Sequence, residues 1–192
     1  MGCFAPAEKP YPASQQQFRG FSVIMPGEEW QENAKSGSCT DNQEWSAPCE
    51  RVFTKGAGVL LLKTEVVSSE QVQGGLRAHV TDFQNDPLWV KAEKTPILIP
   101  QVASRKFEPD RTLDMDCLYL REELKFSGAG SIFGLYPSSV FASGYLCSHP
   151  DHPSYIVWVE CGQCVGRYDA PVQGLELECE GILSSLTSTK LR

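Results

Sequence analysis

The sequence predicts an α+β fold: a single domain with a mixed or antiparallel sheet, short helices and a zinc knuckle near the C-terminus. Three observations predict it. Apolar, β-branched runs at GVLLLKTEVV (58–67) and SYIVWVE (154–160) read as buried strands. Helical patterns are brief and broken by Gly or Pro. Three cysteines and two histidines crowd into CSHPDHPSYIVWVECGQC, residues 147–164.

In chain order, residues 1–18 hold several prolines and a QQQ run and read as a flexible arm, leaving 19–192 as the domain. FSVIM (21–25) is a short strand ending at Pro26-Gly27, and 27–50 reads as a loop or a short helix plus loop, anchored by Trp30 and Trp45. SSEQVQGGLRAHVTDF (68–83) starts like a capped helix, but Gly74-Gly75 interrupts it. LWVKAE and PILIPQV read as two strands, and Pro96 and Pro100 push the second to a sheet edge. LDMDCLYLREELKF (113–126) fits strand or helix, and 127–146 is rich in Gly and Ser. GLELEC (174–179) alternates like a half-exposed strand, and a short helix is expected from Glu180 to Thr187.

The 192 residues suffice for one core; 41% are apolar, 21% are charged, and the formal net charge is −7. That balance speaks against nucleic acid as a partner, since phosphate contacts need clustered Lys and Arg. No run approaches a bilayer span. MGCFAPAEKPYP lacks the apolar core of a secretory signal, so an intracellular location is expected, cytoplasmic or nuclear, with reduced thiols. Pro6 stands where myristoylated chains favour Ser or Thr, so acylation at Gly2 or Cys3 is not expected.

Reduced cysteines at this spacing point to structural zinc. Cys161-x2-Cys164 supplies a close thiolate pair, and Cys147 with His152 completes a tetrahedral set; His149 and Cys179 are alternate ligands. A catalytic zinc of the deaminase type is a poor fit, because His149-Pro150-Asp151 replaces H-x-E and Glu160 precedes Cys161. The alternative function is an enzyme using the Cys/His cluster for thiol redox or nucleophilic chemistry. CGQC after an apolar strand suits the redox form, although Gly166 and Pro171 make a poor helix start behind it. His79 could serve a distant thiol such as Cys117. Gly128 to Gly134 reads as a loop rather than a dinucleotide site, and Asp114, Asp116, Glu122 and Glu123 read as a solvated face.

An apolar strand entering C-x2-C, then L-x-C before a short apolar helix, resembles cysteine-rich segments of small early or accessory proteins of DNA viruses. The residues concerned are Tyr155 to Cys164 and Leu177 to Leu186. That resemblance implies a regulator and transfers no active-site residue. The resulting expectation is a non-enzymatic intracellular adaptor, zinc-stabilised, contacting another protein through loops at 27–50 and 127–146.

Overall fold

The computed structural model describes residues 9–10, 15–25, 29–33, 44, 46–67, 75–81, 99–127, 139–166, 172 and 174–191. Among them are eleven strands and two helices. The fold is mostly β, which corrects the expected α+β class. The strands are β1 (Lys9–Pro10), β2 (Gln15–Phe18), β3 (Phe21–Ile24), β4 (Gln31–Glu32), β5 (Cys49–Lys55), β6 (Gly58–Val66), β7 (Ile99–Asp110), β8 (Asp116–Ser127), β9 (Ser139–His149), β10 (His152–Val165) and β11 (Thr187–Ser188). The helices are α1 (Gly75–Thr81) and α2 (Leu175–Ser184).

Eight strands form one sheet in the order β1-β4-β5-β6-β10-β9-β8-β7, and β11-β3-β2 form a second. Every pairing is antiparallel. The run SYIVWVE lies in β10, whose residues Tyr155 to Gln163 are all buried. That follows from its central place: β6 pairs it on one side and β9 on the other, and both its faces are covered. Odd-numbered side chains Tyr155, Val157, Val159 and Cys161 enter the main core with Phe21, Trp30, Phe53 and the buried face of α2. Ile156 and Trp158 turn the other way, onto Leu118, Leu146 and the α1 residues Leu76 and Val80. Period-two alternation thus assigns each strand residue to one of two layers. The second layer also holds an ion pair, Arg105 Nε to Glu122 Oε2 at 2.7 Å, with side chains 3% and 0% exposed.

The stretch expected to be an arm carries β1 and β2. Phe18 and Phe21 are register partners across a two-residue turn, Arg19-Gly20, with φ of 38° and 82°. Positive φ at both turn positions matches the twist of a tight hairpin. At the other end of the main sheet, β7 occupies the edge, where proline at position 100 is tolerated. Residues 113–126, readable as strand or helix, form β8, while residues 139–146 of the Gly/Ser-rich stretch form β9 rather than a contact loop. LWVKAE, Trp45, Trp89 and the Gly128–Gly134 loop lie outside the described residues.

GLELEC is not a strand. Leu175, Cys179, Ile182 and Leu183 are the buried residues of α2, a helical spacing that the Glu-Leu-Glu alternation conceals. The helix is fastened at several points. Lys55 Nζ reaches Glu178 Oε1 at 2.8 Å and Glu29 Oε2 at 2.6 Å, and Trp30 Nε1 donates to Glu178 Oε1 at 3.2 Å. Hydrogen bonding to Glu178, and then to Glu29, holds the Lys55 ammonium above its ordinary pKa.

Candidate functional site

The six candidate metal ligands are not assembled around one point. Cys161 and Cys164 lie three apart within β10, so they face opposite sides of the sheet and cannot close on one ion as a turn-borne pair would. Cys147 on β9 is the register partner of Cys117 on β8, and the two form a disulfide with Cα atoms 4.2 Å apart. Cys161 is disulfide-bonded to Cys179 of α2, Cα to Cα 5.4 Å. Cys49 and Cys164 are each disulfide-bonded as well, to cysteines outside the described residues. Among the described residues no cysteine is free and no cluster of three His, Cys, Asp or Glu could hold a metal.

Zinc is therefore withdrawn, together with the adaptor built on it. The thiol-enzyme alternative fails on the same finding, since Cys161, Cys164 and Cys117 are bonded and Cys161 does not pair with Cys164. Disulfides persist in oxidising compartments and are rare in cytosol and nucleus, which overturns the expected cytoplasmic or nuclear location. Among the described residues, no helix is long and apolar enough to cross a membrane.

The histidines have separate duties. His149 is 1% exposed. Its Nδ1 accepts the Asp151 N–H at 3.2 Å, which leaves the proton on Nε2 to donate to the Thr189 carbonyl at 3.0 Å. It thereby ties the β9–β10 turn to the C-terminal segment, with its ring edge against Phe21. His152 is exposed at the start of β10, 6.0 Å from His149 between ring centroids. His79 falls in α1, and Cys117, the thiol considered for it, is bonded.

What the fold does assemble is a groove of about 450 Å³ where α2 overhangs the β7–β10 end of the main sheet. Strand register explains its floor. Lys106, Arg121, Ser143 and Cys161 are successive partners across β7, β8, β9 and β10, so their side chains form one row on the α2 side. Glu123, Phe141 and Gln163 make the next row. Alternation turns Glu122, Ala142 and Gly162 away, so they contribute main chain to the floor.

Glu176, Cys179 and Glu180 of α2 form the opposing wall, and the Cys161–Cys179 disulfide locks that wall to the floor. Gln163 Oε1 accepts the Val172 N–H at 2.7 Å, securing the segment that leads into α2. Arg121 lies over the Tyr119 ring, 5.9 Å from its centroid. Its hydrogen bond to Tyr119, and behind that the charges of Glu176 and Glu180, push the guanidinium pKa further up. Phe141 keeps 40% of its surface exposed on the floor. The arrangement offers the cations Lys106 and Arg121, the carboxylates Glu123, Glu176 and Glu180, hydroxyls and an apolar ring to whatever enters it.

Of these groove residues, sequence reasoning weighed only Glu122, Glu123 and the two cysteines as candidate site residues, and it misread the acidic run. Asp114 and Asp116 are exposed as expected, whereas Glu122 is buried against Arg105. Once residues 116–127 are known to be a strand, Tyr119, Arg121 and Glu123 fall on one face, and that alternation is the signal in the sequence.

No family model matches the chain, and no curated protein matches it. Among solved structures, the solution structure of cyanobacterial PsbP (CyanoP) from Synechocystis sp. PCC 6803 is similar at 9% identity, with a TM-score of 0.44. The match covers 96% of this chain and 98% of that one. So distant a likeness transfers neither residue nor activity, and the functional reading rests on the groove.

Proposed function

We propose that the chain is a binding protein of an oxidising compartment and that its partner is another protein, received in the groove beside α2. The observation that carries this reading is the Cys161–Cys179 cross-link at the groove's base. A wall bonded to its floor is preformed, and a preformed site loses less conformational entropy when it is filled. Polar groups and one exposed aromatic ring in a concavity also match the make-up of recognition surfaces.

The test is site-specific photo-crosslinking of the disulfide-intact protein in extract from its native source. A crosslinker at Ser104, exposed at the groove's β7 rim, should give a discrete protein adduct that the substitution Arg121→Glu abolishes. The same crosslinker at Glu50, exposed on β5, should give none. Equal adducts at both positions, or none at Ser104, would reject the groove as the binding site.

A further inference from the structure

The charges of the groove are arranged unlike the others of this protein. Outside it, Arg51 pairs with Glu32, Lys55 with Glu178 and Lys63 with Glu65, and the one floor carboxylate, Glu123, is paired with Lys125. Among the described residues, none of Lys106, Arg121, Glu176 and Glu180 has an ion-pair partner. Two like-charge pairs result. Lys106 and Arg121 are direct register partners on neighbouring antiparallel strands, a placement that disfavours like charges. Glu176 and Glu180 stand four apart on α2, the helical spacing at which like charges also repel. Both pairs line the same groove, cations on the floor and anions on the helix wall.

Building on the proposed binding role, we infer that the partner segment carries both charges: an acidic side chain for Lys106 and Arg121, and a basic one for Glu176 and Glu180. An apolar side chain beside them meets Phe141. A segment of this make-up relieves both repulsions at once. A purely anionic ligand would face the two helix carboxylates, and a purely cationic one would face the two floor cations. The mixed-charge peptide is therefore the occupant that the groove selects.

The experiment uses four end-blocked hexapeptides, each with one leucine: one carrying Glu and Lys, one Glu only, one Lys only, and one Ser only. Each is titrated into the ¹⁵N-labelled full chain with its disulfides intact, following backbone amide shifts up to about 1 mM, a weak-binding limit. The mixed peptide should move the amides of Arg121, Ser143 and Glu180 and bind about tenfold tighter than the others, as expected for two exposed ion pairs. In the variant Lys106→Glu/Arg121→Glu, preference should pass to the Lys-only peptide, and in Glu176→Lys/Glu180→Lys to the Glu-only peptide. All four positions are solvent-exposed, so both variants should keep the fold. Equal binding of the Ser-only peptide would overturn the charge inference while leaving the groove as a binding site. Absence of groove shifts with every peptide would overturn the binding role itself, and this inference with it.

Discussion

Replacing Cys161 and Cys179 together by alanine removes the covalent tie between β10 and α2. The two residues are 18 positions apart. On the chain-entropy account, a loop of that length restrains the unfolded chain by about 3 kcal/mol. Both side chains are buried, at 1% and 3% exposure, so the missing sulfurs add roughly 1 kcal/mol of lost packing. The expected loss is about 4 kcal/mol in unfolding free energy, a large share of the 5–15 kcal/mol usual for a native protein. The helix should nevertheless stay docked, because Leu175, Ile182 and Leu183 remain buried and Glu178 keeps Lys55 and Trp30. Urea unfolding followed by tryptophan fluorescence is the assay, since Trp30 and Trp158 are buried. The midpoint should fall and the slope should steepen, because the unfolded chain without the cross-link is less compact and exposes more surface. A loss under about 1 kcal/mol would refute the cross-link as a stabilising element. Alkylation of Cys161 and Cys179 in the untreated protein would refute the bond itself.

The buried pair gives a second prediction: Glu122→Gln alone should cost about 3–5 kcal/mol, because it leaves Arg105 charged and buried. Arg105→Leu/Glu122→Leu should cost less than the single change, and a larger loss in the double variant by urea titration would contradict this. At Gly162 an added Cβ would lie 2.3 Å from the Phe141 carbonyl oxygen and 2.8 Å from Ala142 Cα. Gly162→Ala should therefore cost about 1–3 kcal/mol, and an unchanged melting temperature would argue against so close an approach. The Asp110 carboxylate accepts from the Thr112 hydroxyl and N–H at 2.6 and 2.7 Å and from the Tyr145 hydroxyl at 3.0 Å. The Thr112 bonds foremost lower its pKa. The stabilisation from this lowered pKa is present above the unfolded carboxyl's value of about 4 and is lost as pH falls through the folded value. Asp110→Asn should thus lower the melting temperature at neutral pH, and the gap from wild type should narrow at about pH 3, below the unfolded value; a constant gap would refute the assignment.

Strands β3, β6 and β10 were legible because their residues are apolar over a strand's length, with turn formers at the ends of β3 and β6. The edge position of β7 was legible from Pro100, since a residue without an N–H is tolerated at an edge. β2 escaped notice because Gln15, Gln16 and Gln17 offer little hydrophobic alternation, although Phe18 is buried. β9 escaped because Ser139, Ser143 and Gly144 read as loop, yet they pair on both sides within the sheet. In α2, four residues of alternating Glu and Leu mimic a strand, and only the longer window from Leu175 to Leu183 shows the helical face.

The cysteines divide most sharply into what sequence settles and what it leaves open. By itself, the sequence determined that a strongly apolar segment leads into Cys161 and Cys164, because burial preference is written into each side chain. It also determined a net charge of −7. It could not say which thiols meet. Spacing along the chain favoured a knuckle, but a strand points Cys161 and Cys164 to opposite faces; Cys161 finds its partner on α2, and Cys147 finds its own on β8. The groove has the same origin. Lys106, Arg121 and Ser143 become neighbours only through strand register, and Glu176 and Glu180 reach them only because α2 docks overhead. Register and docking are set by the whole core at once, so only the tertiary structure could decide them.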